Sequence, residues 1–267
     1  MKASEILEHF LSRAAWVDHA HTVDRIIIGD PEREVDRCLV TWISSFAAVR
    51  NAVKKGLHLL ITHEPTFYHH AQELEHIDAS AIAREKQRYV AEHGLTILRL
   101  HDTWDRWPEV GIPWAWARFL GLANPPAAIG ANGYQHRYDI KPTPLKTLAK
   151  RIAQRTAAIG ESHVQVTGQL AQSVSKIGVG TGCGCDVGTF QEMGCDVSIV
   201  CDDGTCYWSA IQQAEDQGHP VIRVNHGTSE EPGMVTLTQY INQNLPGVVA
   251  EHLPHGSTFR LVGGNDV

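Results

Sequence analysis

Three places in the sequence set a histidine and a carboxylate directly after a short apolar run. "LLITHEPTFYHH" (Leu59–His70) runs into His63 and Glu64. "GLTILRLHDTWD" (Gly94–Asp105) runs into His101, Asp102 and Asp105. "GHPVIRVNHGTSEEPG" (Gly218–Gly233) runs into His226, Glu230 and Glu231. Imidazole with carboxylate suits first-row divalent ions such as Zn, Fe, Mn or Ni. Singly, each place has a plainer reading. Polar residues end strands, and Asp102 and Asp105 suit a loop turn. Thr228–Glu231 ("TSEE") fits a capping box, with Glu231 reaching back to the Thr228 backbone. That box is compatible with a ligand role for Glu230. The recurrence at three strand ends favours metal over the plain readings. Five or six such donors are enough for two ions sharing a bridging carboxylate and a bridging water.

Donors so far apart in sequence meet only if the strands that carry them end on one edge. A parallel α/β sheet does this, since the carboxyl ends of its strands share an edge where ligand sites gather. The pattern agrees. Strands are expected at Arg25–Ile28, Cys38–Ile43, Leu57–Thr62, Thr96–Leu100, Val164–Thr167, Lys176–Val179, Val197–Cys201, Pro220–Val224 and Phe259–Val262. Helices are expected at Ser45–Lys55, Ala79–His93, Leu145–Thr156, Tyr207–Gln217 and Val235–Asn244, with helical spacing in residues 1–16. Strand-helix-strand alternation gives an α/β fold class with largely parallel strands. The charge-free stretch "GLANPPAAIGANGY" (Gly121–Tyr134) reads as a boundary. It predicts a first α/β lobe over residues 1–124 and a second over 125–267, around a central metal cleft to which the second returns His226 and Glu230.

Composition narrows the function classes. A chain of 267 residues that is 43% hydrophobic and 20% charged is an ordinary globular one. Its formal charge of −7 argues against a broad electrostatic grip on nucleic acid or an anionic membrane. No apolar run reaches the roughly 20 residues of a membrane span, and the first 16 residues lack a signal's apolar core, so a cytoplasmic protein is expected. Five of the six cysteines fall within Cys183–Cys206 without a C-x-x-C, and read as small, buried, reduced residues rather than a zinc knuckle or a disulfide. "GVGTGCG" (Gly178–Gly184) follows a strand, but its glycines miss the G-x-G-x-x-G spacing of a dinucleotide site. A tight turn is the preferred reading, and a phosphate held by backbone N–H groups is the alternative.

With these residues assembled, the chain resembles the NIF-three-like family, whose members are often called GTP cyclohydrolase type 2 homologues. "IGDPEREVDRCLVTWISSFAAVRNAVKKGLHLLITHEPTFY" is similar to the family's N-terminal segment, with its Gly-Asp-Pro turn and "ITHHP". "LHDTWD" stands where the family has "HTNLD". The segment from Lys176 to Gly233 is similar to its C-terminal half, with a glycine-rich turn and a closing "GH..TE" motif. The resemblance implies two α/β lobes around a dinuclear metal site and a cytoplasmic toroidal homohexamer. It implies His63, Glu64, Asp105, His226 and Glu230 as ligands of two divalent ions, with Glu230 bridging. Glu64 departs from the family's second histidine and hardens the site. Trp104 departs too, and is expected to narrow the cleft. The function expected is that of a metal-dependent hydrolase acting on a small-molecule substrate, with a nucleotide as candidate. His101 or Glu231 would carry protons or orient ligands. The alternative is a non-catalytic metal-binding or regulatory scaffold acting as an oligomer. Aromatics crowding Trp104–Trp116 are expected at the surface between copies.

Overall fold

The computed structural model describes residues 1–122 and 125–262. In chain order the elements are α1 (Ala3–Leu11), β1 (Arg25–Ile28), β2 (Arg37–Ile43), α2 (Phe46–Lys54), β3 (Leu59–Glu64), α3 (Ala81–Glu92), β4 (Thr96–Arg99), α4 (Asp102–Asp105), α5 (Ile112–Phe119) and β5 (Ala128–Ile129). There follow β6 (His136–Pro144), α6 (Leu145–Thr156), β7 (Gln165–Val166), β8 (Ser173–Val179), α7 (Val187–Glu192), β9 (Val197–Cys201), α8 (Gln212–Asp216), β10 (Val221–Val224), α9 (His226–Asn244) and β11 (Val249–His252). The fold is α/β, as the alternation implied. No helix among the described residues is long and apolar enough to cross a membrane.

The chain divides into two compact units. The first joins Met1–Ala115 to Pro232–His255, and the second joins Trp116–Glu231 to the segment from Gly256 onward. The chain thus changes unit after Ala115, and the composition break at Gly121–Tyr134 falls inside the second unit. Ala123 and Asn124, at the expected boundary, lie outside the described residues.

In the first unit the sheet order is β1-β4-β3-β2-β11. The pairs β3–β4, β2–β3 and β2–β11 are parallel, and β1 closes one edge antiparallel to β4. Every residue of β3 is buried, as befits a central strand covered on both faces. Leu59 and Ile61 pack with Ile6 and Phe10 of α1 and with Met234, Leu237 and Ile241 of α9. Leu60, one residue out of phase, packs with Val49 and Ala52 of α2 and Val90 of α3.

The second unit's sheet runs β5-β6-β8-β9-β10-β7. Its centre is parallel (β8–β9–β10), while β6 and β7 pair antiparallel to β8 and β10. Ile177, Val179, Ile199, Val200 and Ile222 form its core with Leu148 and Ile152 of α6 and Phe190 of α7.

The expected strand at Phe259–Val262 is not formed. These residues carry no strand pairing, and Phe259, Leu261 and Val262 are exposed. β11 at Val249–His252 takes the edge beside β2 instead.

Candidate functional site

In the first unit the central strand β3 delivers His63, fully buried, and Glu64, nearly so, at its carboxyl end. β4 lies beside it in parallel register, with Thr62 opposite Arg99, so His101 follows β4 on the same edge. The His63 and His101 rings stack with centroids 4.4 Å apart and planes 11° from parallel. His63 Nδ1 is 3.1 Å from the Leu100 carbonyl, which only accepts, so Nδ1 is the protonated nitrogen. His63 Nε2 then faces Asp105 Oδ1 at 3.4 Å. His101 Nδ1 lies 2.9 Å from Asp102 and 3.3 Å from Asp105, and its Nε2 is 4.0 Å from Glu64 Oε1. Donor atoms of His63, Glu64 and His101 all fall within 4.8 Å of one another, as do those of His101, Asp102 and Asp105. Burial, reinforced by His63, pushes His101 down to about 3. It is a neutral imidazole at neutral pH, the form that binds a metal.

This geometry rests on buried supports. The backbone N–H groups of His101, Asp102 and Thr103 all donate to the Asp24 carboxylate at 2.6–2.9 Å, which fixes the short helix α4. Asp102 accepts from Thr22 Oγ1 at 2.7 Å and the Val23 N–H at 3.1 Å, so the carboxylate that orients His101 is itself held. Arg99, fully buried, donates to the carbonyls of His63 at 3.0 Å and His70 at 2.6 Å. Its guanidinium pairs with buried Glu73 at 3.7 Å.

In the second unit β10 ends at Val224 and α9 opens at His226. The His226 N–H donates to Asp202 Oδ1 at 2.6 Å, and Nδ1 is 3.8 Å from Asp203 Oδ2. Asp202 and Asp203 follow β9, the parallel neighbour of β10, so both strands send their ends to one edge. One helical turn past His226, Glu230 Oε2 is 2.9 Å from His226 Nε2. A Cβ at Gly182, whose φ is +52°, would lie 3.0 Å from Glu230 Oε1 and 3.1 Å from His226 Nε2. The pair sits in a cradle that only a glycine leaves open.

Within the first unit the expected residues His63, Glu64, His101 and Asp105 converge; within the second, His226 and Glu230 do. Glu231 is buried, but one residue further on it lies about 100° around the helix from Glu230. The capping box at Thr228 is not formed, because α9 starts at His226 and makes Thr228 an interior helical residue. Trp104 does not narrow a cleft. It is fully buried, donates from Nε1 to the Gly233 carbonyl at 2.8 Å, and packs against Phe10, Trp107 and Tyr240. The glycine run is a tight turn, as preferred. A 3-10 turn at Gly182–Gly184 leads to α7, whose first turn is capped by Asp186 accepting from Thr189 N–H. That carboxylate already accepts from one of the N–H groups a phosphate there would use.

Sequence reasoning missed Asp24 and Arg99 as supports, and had given Asp202-Asp203 no part beside His226. Only the acidic pair at a strand end carried a signal.

Residues 1–254 match the family model described as Duf34/NIF3 (NGG1p interacting factor 3). A "GTP cyclohydrolase 1 type 2 homolog" of Clostridium perfringens is 19% identical over 231 residues, covering 82% of this chain and 83% of that protein. Among solved structures, Staphylococcus aureus protein SA1388 superposes with a TM-score of 0.80 at 18% identity, covering 98% of this chain and 99% of that one. Reduced HcgD from Methanocaldococcus jannaschii superposes with a TM-score of 0.72 at 20% identity, covering 95% and 98%.

Proposed function

From the premise that the chain belongs to the Duf34/NIF3 family, we propose that it binds two divalent metal ions and hydrolyses a small-molecule substrate. The proposed ligands are His63, Glu64, Asp105, His226 and Glu230, with Glu230 bridging. The observation that carries the reading is the stacked pair His63–His101, with the carboxylates of Glu64 and Asp105 against its ring nitrogens. Buried imidazole and carboxylate of this kind fit Zn, Fe, Mn or Ni by donor chemistry. The Gly182 cradle beside His226 and Glu230 fits in the same way. A divalent ion there supplies acidity to water near neutral pH and polarises the atom under attack.

The chain's own residues do the rest. Asp102 holds the His101 Nδ1 side, which turns Nε2 toward Glu64 and makes His101 the residue that orients the ligands. Arg99 fixes the backbone on which His63 sits. Glu231 is the candidate proton carrier. The cyclohydrolase name of the Clostridium relative makes a nucleotide the first substrate to try. A cytoplasmic homohexamer, implied by the sequence resemblance, completes the proposal.

Titrating the metal-stripped protein with zinc and with manganese tests it. Elemental analysis at saturation is expected to give about two ions per chain, a count set by the donor number. Glu64→Gln keeps size and hydrogen bonding but is a much poorer donor, and should lose affinity by about tenfold or more, the scale seen when metal-site partners are removed. Glu64→His should keep two-ion loading and shift preference from manganese towards zinc. Equal affinities for wild type and Glu64→Gln would return Glu64 to a polar strand end. No uptake by the wild type would end the metal reading, and two bound ions without turnover of any nucleotide would leave a metal-binding scaffold.

A further inference from the structure

Of the five cysteines in the second half, two converge. Cys185 and Cys201 are both fully buried, and their sulfurs are 3.7 Å apart. The Cys201 N–H donates to Cys185 Sγ at 3.2 Å, and Cys201 Sγ is 3.3 Å from the Gly182 carbonyl. Cys201 ends β9, a central strand, and stands opposite Val224 of β10, so its position is fixed by the sheet. Cys185 follows the Gly182–Gly184 turn, a loop outside the sheet. The turn is packed tightly against the next loop as well, since a Cβ on Gly204 would lie 2.6 Å from Cys185 Cβ and 2.7 Å from the Gly182 carbonyl. Each cysteine is therefore wired to the His226–Glu230 pair. Gly182 abuts both side chains, and Asp202, next to Cys201, accepts the His226 N–H.

We propose that Cys185 and Cys201 are a dithiol that oxidises to a disulfide, and that the bond repositions the Gly182 turn against His226 and Glu230. A disulfide needs its sulfurs about 2.0 Å apart, so they must close by roughly 1.7 Å. The strand cannot move far, so the turn does. With a peroxide as oxidant, one thiolate attacks a peroxide oxygen, giving a sulfenic acid and water. The second thiol then attacks that sulfur, and the sulfenic oxygen leaves as a second water. Two thiols lose two electrons and two protons, and the peroxide O–O bond takes them up. Cys183 and Cys206 are exposed, which makes them the competing targets. The consequence for metal rests on the function proposed above; the disulfide itself does not.

The full chain is oxidised with hydrogen peroxide, stripped of metal and again after zinc loading, then digested and mapped by mass spectrometry. The expected product is a peptide pair joined between Cys185 and Cys201, two hydrogens lighter than the thiols and restored by dithiothreitol. It should survive in the Cys183→Ser, Cys206→Ser double variant and vanish in Cys185→Ser. Zinc affinity should fall about tenfold on oxidation of that double variant, the scale for disturbing groups behind a metal ligand, and not change in Cys185→Ser. A link through Cys183 or Cys206 in place of this one, or no link at all, overturns the proposal. Equal affinities of the two forms overturn its second half. A link formed in a protein that takes up no zinc in either form upholds the dithiol and sinks the metal reading instead.

Discussion

Lys86 shows how far single residues in this fold are committed to holding the loop behind Glu64. Its side chain is fully buried, and Nζ donates to the carbonyls of Ser44 at 3.0 Å and Thr66 at 2.6 Å, with the Tyr68 ring 4.2 Å away. Thr66 is two residues past Glu64, so the ammonium fastens the chain just beyond the strand end. Burial pushes this lysine down from 10.5 to about 8, against a smaller opposing effect of Glu73. An unfolded lysine keeps its proton up to about 10.5, while the folded one gives it up near 8. Between those values the unfolded chain binds more protons, so raising the pH favours the folded state. Below 8 both states are charged and the full burial penalty is present. Chemical denaturation of wild type and Lys86→Met across pH 7 to 11 should therefore show a stability difference that is flat below pH 8. It should then climb in favour of the wild type towards pH 10.5, by at most about 3 kcal/mol. A difference that stays flat throughout would mean that Lys86 never titrates in this range and is a permanently charged clamp.

At the scale of elements, the turn between β8 and α7 decides how the second donor pair is seated. Gly182 and Gly218 both have positive φ, +52° and +67°. Alanine in that region costs about 1 kcal/mol relative to glycine from the backbone alone. They differ in surroundings, since a Cβ on Gly182 meets Glu230 and His226, and one on Gly218 meets nothing within 4 Å. Both Gly182→Ala and Gly218→Ala should thus lose stability, Gly182→Ala the more, but only Gly182→Ala should weaken zinc binding. Parallel loss of zinc affinity in both would trace the effect to general destabilisation. Elements of this kind were unevenly legible in the sequence. β3, β9 and β10 are largely apolar and almost wholly buried, and such runs stand out. β6 does not, because "HRYDIKPTP" is half exposed and carries two prolines. The start of α9 was hidden by Pro232, which sits inside the helix, and by the polar residues before it. The donors could be read because histidine and acid follow apolar runs directly. Asp24 could not, since it meets His101 from 77 residues away.

At the scale of the whole molecule, the proposed hexamer needs apolar surface to bury, and the aromatic stretch Trp104–Trp116 does not supply it. Trp104 and Trp116 are fully buried, Trp107 is 9% exposed and Trp114 is half-buried, so three of the four tryptophans are core, contrary to the sequence expectation. Truncating Trp104 to alanine should therefore destabilise the fold by about 3–5 kcal/mol, as large aromatic deletions from a core do. Apolar surface is offered instead by Phe259, Leu261 and Val262, at 69%, 65% and 81% exposure. Their sequence, "TFRLV" from Thr258, has the composition of a strand, yet they pair with no strand among the described residues. An exposed apolar segment that lies outside the sheets is the kind that a second copy can take up by backbone pairing. Light scattering on the full chain is expected to give six times the mass of one chain over a wide concentration range. A version ending at Thr258 should unfold at nearly the same denaturant concentration, because it loses no buried residue among those described, while its mass falls below sixfold. A monomer in both cases would end the proposed assembly. A full sixfold mass in the shortened chain would move the contact between copies to another surface, with the exposed Tyr207 and Trp208 the next aromatics to truncate.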